Sequence, residues 1–204
     1  MQLRPAWLVP LLILASSPAA AAGSVGFELE IGLARGPFRY EGATGEGNRA
    51  TAETNFESLA LGVGAHGGFE LSADYFVGVR LGAGVLPTLS GGVQSTHFNG
   101  ALHARAELAA WRAPIDELNF GLAGGIGTLG LAYSVDEAAI PADVHYEDEA
   151  LYGPVGDIWI AHPFGHGWSV GAVAGFGWLT SEHARFAMFS AALRVSYDPW
   201  QSRR

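Results

Sequence analysis

From position 25 to 33 the chain alternates strictly. Val25, Phe27, Leu29, Ile31 and Leu33 are large and apolar, whereas Gly26, Glu28, Glu30 and Gly32 are small or charged. Successive side chains of a strand point to opposite faces, so this segment has one greasy face and one charged, glycine-rich face. Similar alternation recurs along most of the chain and predicts eight strands, at about 24–34, 56–71, 75–85, 97–111, 118–133, 151–162, 168–179 and 185–197. In the second, Leu59, Leu61, Val63, Ala65, Phe69 and Leu71 oppose Ser58, His66, Glu70 and several glycines; in the third, Val77, Val79, Leu81 and Val85 oppose Arg80. The fourth sets Leu102 and Leu108 against His103, Arg105 and Glu107, and the eighth sets Phe189, Leu193, Val195 and Tyr197 against Ser190, Arg194 and Ser196.

Two segments are irregular. The fifth begins with Leu118, Phe120, Leu122 and Ile126 but ends with Leu129, Leu131 and Tyr133 on the other parity, which predicts a bulge near Gly127 or Gly130. The sixth places Ile158 and Ile160 outward and Asp157 and Trp159 inward, while Pro154 argues against a regular strand at its start. The connections alternate too. Short turns at 72–74, 113–117 and 163–167 separate longer polar stretches at 35–55, 86–96 and 134–150 and a shorter one at 180–184. This pattern predicts an all-β fold, an eight-stranded antiparallel up-and-down barrel with its apolar face on lipid. A soluble barrel of the lipocalin kind is the alternative. It would crowd nearly all the large side chains into an eight-stranded interior that barely holds its own.

The first 22 residues have the marks of a cleaved signal peptide: Arg4, a short apolar run from Trp7 to Ala15, and small residues from Ser16 to Ala22. The barrel domain is then residues 23–204. No later run is long and apolar enough for a transmembrane helix, yet the chain is 49% hydrophobic with 29 glycines and only 15% charged residues, which a barrel wall accounts for. There is no cysteine, so disulfides and thiolate metal sites are excluded. A net charge of −9 argues against nucleic acid as a partner. Aromatic residues cluster toward both strand ends: Tyr75, Trp168, Tyr197 and Trp200 at the short-turn end, and Trp178, Tyr133 and Phe98 at the other, as interfacial belts would.

On these features the whole mature chain resembles the small eight-stranded outer-membrane β-barrels of Gram-negative bacteria, the OmpA/OmpX type. The resemblance implies a cell outer-membrane location, short periplasmic turns and longer extracellular loops. It also implies lipid and lipopolysaccharide as surroundings, and a final amphipathic strand read by the barrel-assembly machinery. Leu193, Val195, Tyr197 and Trp200 look like that assembly signal, although Pro199 and the tail 201–204 depart from the pattern. No peptidoglycan-binding role is expected, and a monomer is expected.

The chemistry-bearing set faces inward: Glu28, Glu30, Glu70, Asp74, Arg80, His103, Arg105, Glu107, Asp157 and Arg194. Barrel closure makes the first and last strands neighbours, so Arg194 is expected to meet Glu28 or Glu30, and Arg80 and Arg105 to share Glu107. Charges in such a lumen must pair or be hydrated. The expectation is pairing, which gives a plugged barrel with a structural or surface-interaction role; the alternative is hydration, with inward glycines leaving room for water, which gives a small ion- or solute-conducting pore. The acidic stretch 136–149 could bind Ca²⁺ or Mg²⁺ but lacks the EF-hand spacing, and reads as a solvated loop. No cofactor is expected. The histidines show no zinc spacing. Ser181, Glu182 and His183 are consecutive and so poorly placed to converge as a hydrolytic triad, and the chain lacks the H-x-S pair of the lipid A deacylases. An enzyme, lipid A-modifying or otherwise, is therefore not the expectation.

Overall fold

The computed structural model describes residues 24–43, 49–72, 75–90, 96–115, 118–135 and 149–198. Among these, eight long strands run as an antiparallel meander: β1 (Ser24–Ala43), β2 (Arg49–Ser72), β3 (Tyr75–Leu86), β4 (Thr96–Ile115), β5 (Leu118–Val135), β6 (Glu149–Gly165), β7 (Trp168–Thr180) and β8 (Ala184–Tyr197). A short segment, Thr88–Ser90, continues the line of β3 past Pro87 and pairs with β2. Each strand pairs with the next, and β1 also pairs with β8, closing the sheet. Closure leaves no strand edge, so backbone polar groups are satisfied within the wall and hydrocarbon can surround it. No described helix is long and apolar enough to cross a membrane.

The outer face is the apolar one. Leu29, Val63, Leu108, Ile126, Ile158 and Leu193 are all about 60% exposed or more, while Glu28, Arg80, Glu107, Asp157 and Arg194, on the opposite parity, are buried. A shell of exposed Leu, Ile, Val and Phe on every described strand suits a bilayer and would aggregate in water.

Several expectations about strand limits are corrected. The expected connection 35–55 is largely strand: β1 and β2 stay paired from Ser24↔Gly68 out to Ala43↔Arg49. β4 reaches Ile115, β5 reaches Val135 and β6 begins at Glu149, which trims the other connections. The reason is that backbone pairing persists where the strand leaves the bilayer, while the outward apolar positions that mark it in the sequence stop. Thus Arg35, Pro37 and Arg39 continue the outward row begun by Val25. With 20 and 24 residues, β1 and β2 are about twice the length needed to cross.

The expected bulge near Gly127 or Gly130 is absent. β5 keeps continuous register with β4 from Gly100↔Ala132 to Arg112↔Phe120, and with β6 from Asn119↔Ala161 to Leu131↔Glu149. Instead Leu129 turns inward and is fully buried; the interior there is apolar, so an apolar residue on inward parity needs no phase change. An irregularity does occur beside Asn99, between Phe98 and Gly100. Pro154 lies inside β6 and is paired with Ile126 on β5. It is tolerated because the pairs with β7 skip Gly153 and Pro154, where a missing N–H costs nothing.

The β6–β7 turn is tight, with positive φ at Gly165, His166 and Gly167. Residues 1–22, Asp74, Trp200 and the acidic stretch 136–148 lie outside the described residues.

Candidate functional site

Inward side chains stack in layers along the lumen. Nearest the chain termini are His66, Asn119, Ser169, Ser196 and Asp198. Phe76, Ala109, Ala123, Trp159, Ala161 and Val173 form a first apolar cluster beside them. The charged residues come next. Beyond them, toward the connections 44–48 and 181–183, Ala34, Phe38, Phe56, Leu86, Leu129, Leu151, Leu179, Ala184 and Phe186 make a second apolar cluster. Phe186 packs edge-on against Phe56 and Phe38, with ring centroids 5.3 and 6.2 Å apart.

The charge layer joins three arginines to four carboxylates. Arg80 donates to Glu28, Glu30, Asp157 and Glu107, the last at 3.1 Å. Arg105 reaches Glu30 at 3.0 Å, Asp157 at 2.9 Å and Glu107 at 3.7 Å. Arg194 reaches Glu28 at 3.0 Å, Glu30 at 2.6 Å and Asp157 at 3.4 Å. Two of these pairs are direct cross-strand neighbours, Arg80 with Glu107 and Arg194 with Glu30. Asp157, from β6, bonds arginines on β3, β4 and β8. The Trp159 ring supports the cluster, with the Arg194 guanidinium 4.9 Å and the Arg80 guanidinium 5.8 Å from its centroid. Desolvated charges are tolerable only where most of their hydrogen bonds are made, as here. Glu107 Oε1 alone among the carboxylate oxygens of this layer is buried with no hydrogen-bond partner among the described residues.

Glycines seat these side chains. Cross-strand from Glu28 stands Gly64, from Glu30 Gly62, from Arg105 Gly82, from Arg194 Gly171, from Asp157 Gly175 and from Trp159 Gly121. A Cβ on Gly121 would fall within the Trp159 ring, and one on Gly82 would lie 3.0 Å from Arg105 Nε. Room for water at inward glycines belongs to the alternative reading as a pore; a Cβ at Gly64, Gly82, Gly121 or Gly175 would meet the side chain of Glu28, Arg105, Trp159 or Asp157, whereas one at Gly62 would make only ordinary contact with Glu30 and one at Gly171 would meet the backbone of β6. A cavity of about 40 Å³ does remain between the charges and the second apolar cluster, bounded by Glu30, Arg105, Asp157, Leu86, Leu179 and Met188.

Of the expected lumen set, Glu28, Glu30, Arg80, Arg105, Glu107 and Asp157 come together with Arg194. Glu70 and His103 lie in β2 and β4, paired with Phe76 and with Gly84, and their side chains are not among those described. Leu193 and Val195 face outward. Tyr197 pairs with Phe27 and Trp168, its ring 5.0 Å from that of Trp168. The expected set omitted one buried pair: His66 Nε2 lies 3.3 Å from Asp198 Oδ2. Parity alone could have found it, since His66 shares the face of Gly64 and Gly62, and Asp198 that of Arg194 and Ser196. Among the described residues no three His, Asp or Glu side chains converge as metal ligands.

No family model and no curated sequence matches the chain. Solved structures do. Neisserial surface protein A aligns at 9% identity over 86% of this chain and 98% of its own, with a TM-score of 0.55. The outer membrane protein OprG from Pseudomonas aeruginosa aligns at 9% identity over 87% and 96%, also with a TM-score of 0.55. With closure through β1 and β8 and an apolar outer wall, the chain has the fold of the small, OmpA/OmpX-type eight-stranded outer-membrane barrels.

Proposed function

We propose that this protein is a closed outer-membrane barrel whose role is structural or is exercised at its surface, and not a conduit. The observation that carries this reading is the layering of the lumen. Arg80, Arg105 and Arg194 are engaged by Glu28, Glu30, Glu107 and Asp157, and a buried apolar cluster around Phe38, Phe56 and Phe186 lies beyond them. An ion moving along the axis would have to displace both layers, and the space left between them, about 40 Å³, has room for only a few waters. β1 begins and β8 ends at the short-turn end, which makes that end periplasmic and puts the second apolar cluster on the extracellular side. The surroundings of the wall are outer-membrane lipid and lipopolysaccharide, and the assembly machinery is the transient partner of β8.

We also read the protein as having no enzymatic role. The Ser181 hydroxyl is held in the β7–β8 turn, accepting from the Ala184 N–H at 2.9 Å and donating to the Ala184 carbonyl at 3.3 Å, so its proton is directed at a backbone carbonyl and not at a base. The test is conductance of the refolded protein in a planar bilayer, once a heat-dependent gel shift shows a folded barrel. A silent barrel is expected. Discrete, reproducible openings would overturn the closed reading in favour of a pore.

A further inference from the structure

The seam between the first and last strands ends in a row that side chains bridge. β1 pairs with β2 from Ser24↔Gly68 onward, whereas β1 and β8 pair from Phe27↔Tyr197. One residue nearer the periplasm, His66 on β2 stands cross-strand from Gly26 on β1, and the same register continued past Tyr197 sets Asp198 on the other side of Gly26. A Cβ on Gly26 would lie 2.2 Å from His66 Nε2 and 2.7 Å from the Tyr197 carbonyl oxygen. The imidazole therefore lies across the glycine, and its Nε2 meets Asp198 Oδ2 at 3.3 Å on the far side of β1. Two strands that are not neighbours in the wall are tied over the one between them. The other flank of Asp198 is tied as well: its N–H donates to the Gly167 carbonyl, in the β6–β7 turn, at 2.7 Å. Both side chains of the pair are only 3% exposed.

Behind this pair lie Asn119 of β5, Ser169 of β7 and Ser196 of β8, the two serine hydroxyls 2.7 Å apart. Asn119 Oδ1 is buried there without a hydrogen-bond partner among the described residues. These groups border a cavity of about 10 Å³, about the room of one water, whose inner wall is Glu28 and Arg194. The basal polar layer thus abuts the charge layer directly. Its hydrogen bonds can be exchanged for bonds to water whenever the layer opens. The extracellular end is closed differently. Phe38, Phe56, Phe186 and their apolar neighbours offer entering water no hydrogen bonds. One end of the lumen is fastened by a polar pair, and the other is filled with hydrocarbon.

We propose that the His66–Asp198 pair is a latch on the periplasmic end of the lumen. Closed, it holds the end of β8 against β2 and seals Glu28 and Arg194 from periplasmic water. Released, it frees the end of β8 on the β1 side, and water enters as far as the charge layer while the second apolar cluster keeps the extracellular end shut. The lumen then communicates with one side of the membrane and not across it. A bond from imidazole to carboxylate suits this role, because a hydrogen bond to a charged group is strong while dry and loses most of its advantage once water competes for it. The inference rests on the reading of the lumen as closed, with the start of β1 and the end of β8 on the periplasmic side.

The chain has no cysteine, so a single Ser169→Cys reports access to the basal layer and a single Ala34→Cys reports access to the second apolar cluster. The measurement is the rate at which a water-soluble methanethiosulfonate labels each variant refolded in detergent, with the heat-dependent gel shift as the check on folding. Ser169 is buried, so Ser169→Cys should label slowly while His66 is in place. Adding His66→Ala should speed that labelling by about tenfold or more and leave Ala34→Cys protected. Asp198→Ala should do the same, and the two together should add nothing to either alone, because they remove one bond. Unchanged labelling in a folded His66→Ala barrel, or accelerations that multiply in the double variant, would overturn the latch. So would rapid labelling of Ser169→Cys with His66 in place, or equal acceleration at positions 169 and 34, which is general loosening. Should His66→Ala not fold, Asp198→Asn removes the charge at constant volume; a smaller acceleration at position 169 is expected, and indifference there overturns the latch. Conductance separates the two readings. A conducting wild type counts against the closed lumen and the latch together, whereas a silent wild type whose Ser169→Cys labelling ignores His66 counts against the latch alone.

Discussion

The charged middle of the lumen and the apolar layer above it are both buried, both filled from several strands, and held by different physics. In the middle layer each arginine serves several carboxylates, and its position is fixed by hydrogen-bond direction as well as by volume. In the upper layer Phe38, Phe56 and Phe186 meet edge to face, and any side chain of similar bulk would exclude water nearly as well. Removing an arginine from the first leaves buried negative charge in excess; removing a phenyl ring from the second leaves a hole. The two layers therefore differ in what they specify. Ion pairs fix which residue faces which, and so fix register; the apolar layer mainly fills the lumen.

The sharpest way to break the comparison is Arg80→Ala. It removes the arginine that bonds all four carboxylates and leaves them to Arg105 and Arg194, and refolding titrations in urea should show a loss of about 3–5 kcal/mol. A loss under 1 kcal/mol would mean that the charge layer is hydrated rather than paired. Phe186→Ala should cost about 3 kcal/mol, because the site lies at the open end and can partly collapse or fill with water. A larger loss than that of Arg80→Ala would reverse the ranking of the layers. Next comes Gly121→Ala, whose methyl displaces the Trp159 ring and with it the support under Arg194; about 1–3 kcal/mol is expected. Its control is Gly62→Ala. There the added carbon meets nothing closer than 3.6 Å, and the midpoint should hold or rise. The smallest effect belongs to Glu107→Gln. Four carboxylates face three arginines, and Glu107 already has one oxygen without a partner, so neutralising it should change stability by no more than about 1 kcal/mol. A loss as large as that of Arg80→Ala would show that the fourth negative charge is needed.

The middle layer was legible in the chain because strict alternation across a bilayer-spanning strand marks every charged residue as inward. Glu28, Glu30, Arg80, Arg105, Glu107, Asp157 and Arg194 share the inward parity of their strands, and closure of an even-stranded barrel puts Arg194 beside Glu30. The upper layer was largely hidden. Phe38 sat in a stretch read as a loop, and Leu129 looked like a slipped register, because a lumen that turns apolar removes the contrast on which the alternation test depends. His66 and Asp198 carried the right parity but were not joined to the network, since no local pattern says which inward residues meet across a lumen.

Sequence by itself determined the strand count, the outward and inward faces through the bilayer, and the closing neighbours. Each of these follows from the two-residue repeat of a strand and the need to leave no edge in lipid. Only the tertiary structure decided that the strands run on well past the apolar band, that Asp157 on β6 bonds arginines from three other strands, and that glycines are seats rather than openings. Those outcomes depend on the register of pairing and on how side chains from opposite walls share one narrow interior, neither of which alternation along a single strand encodes.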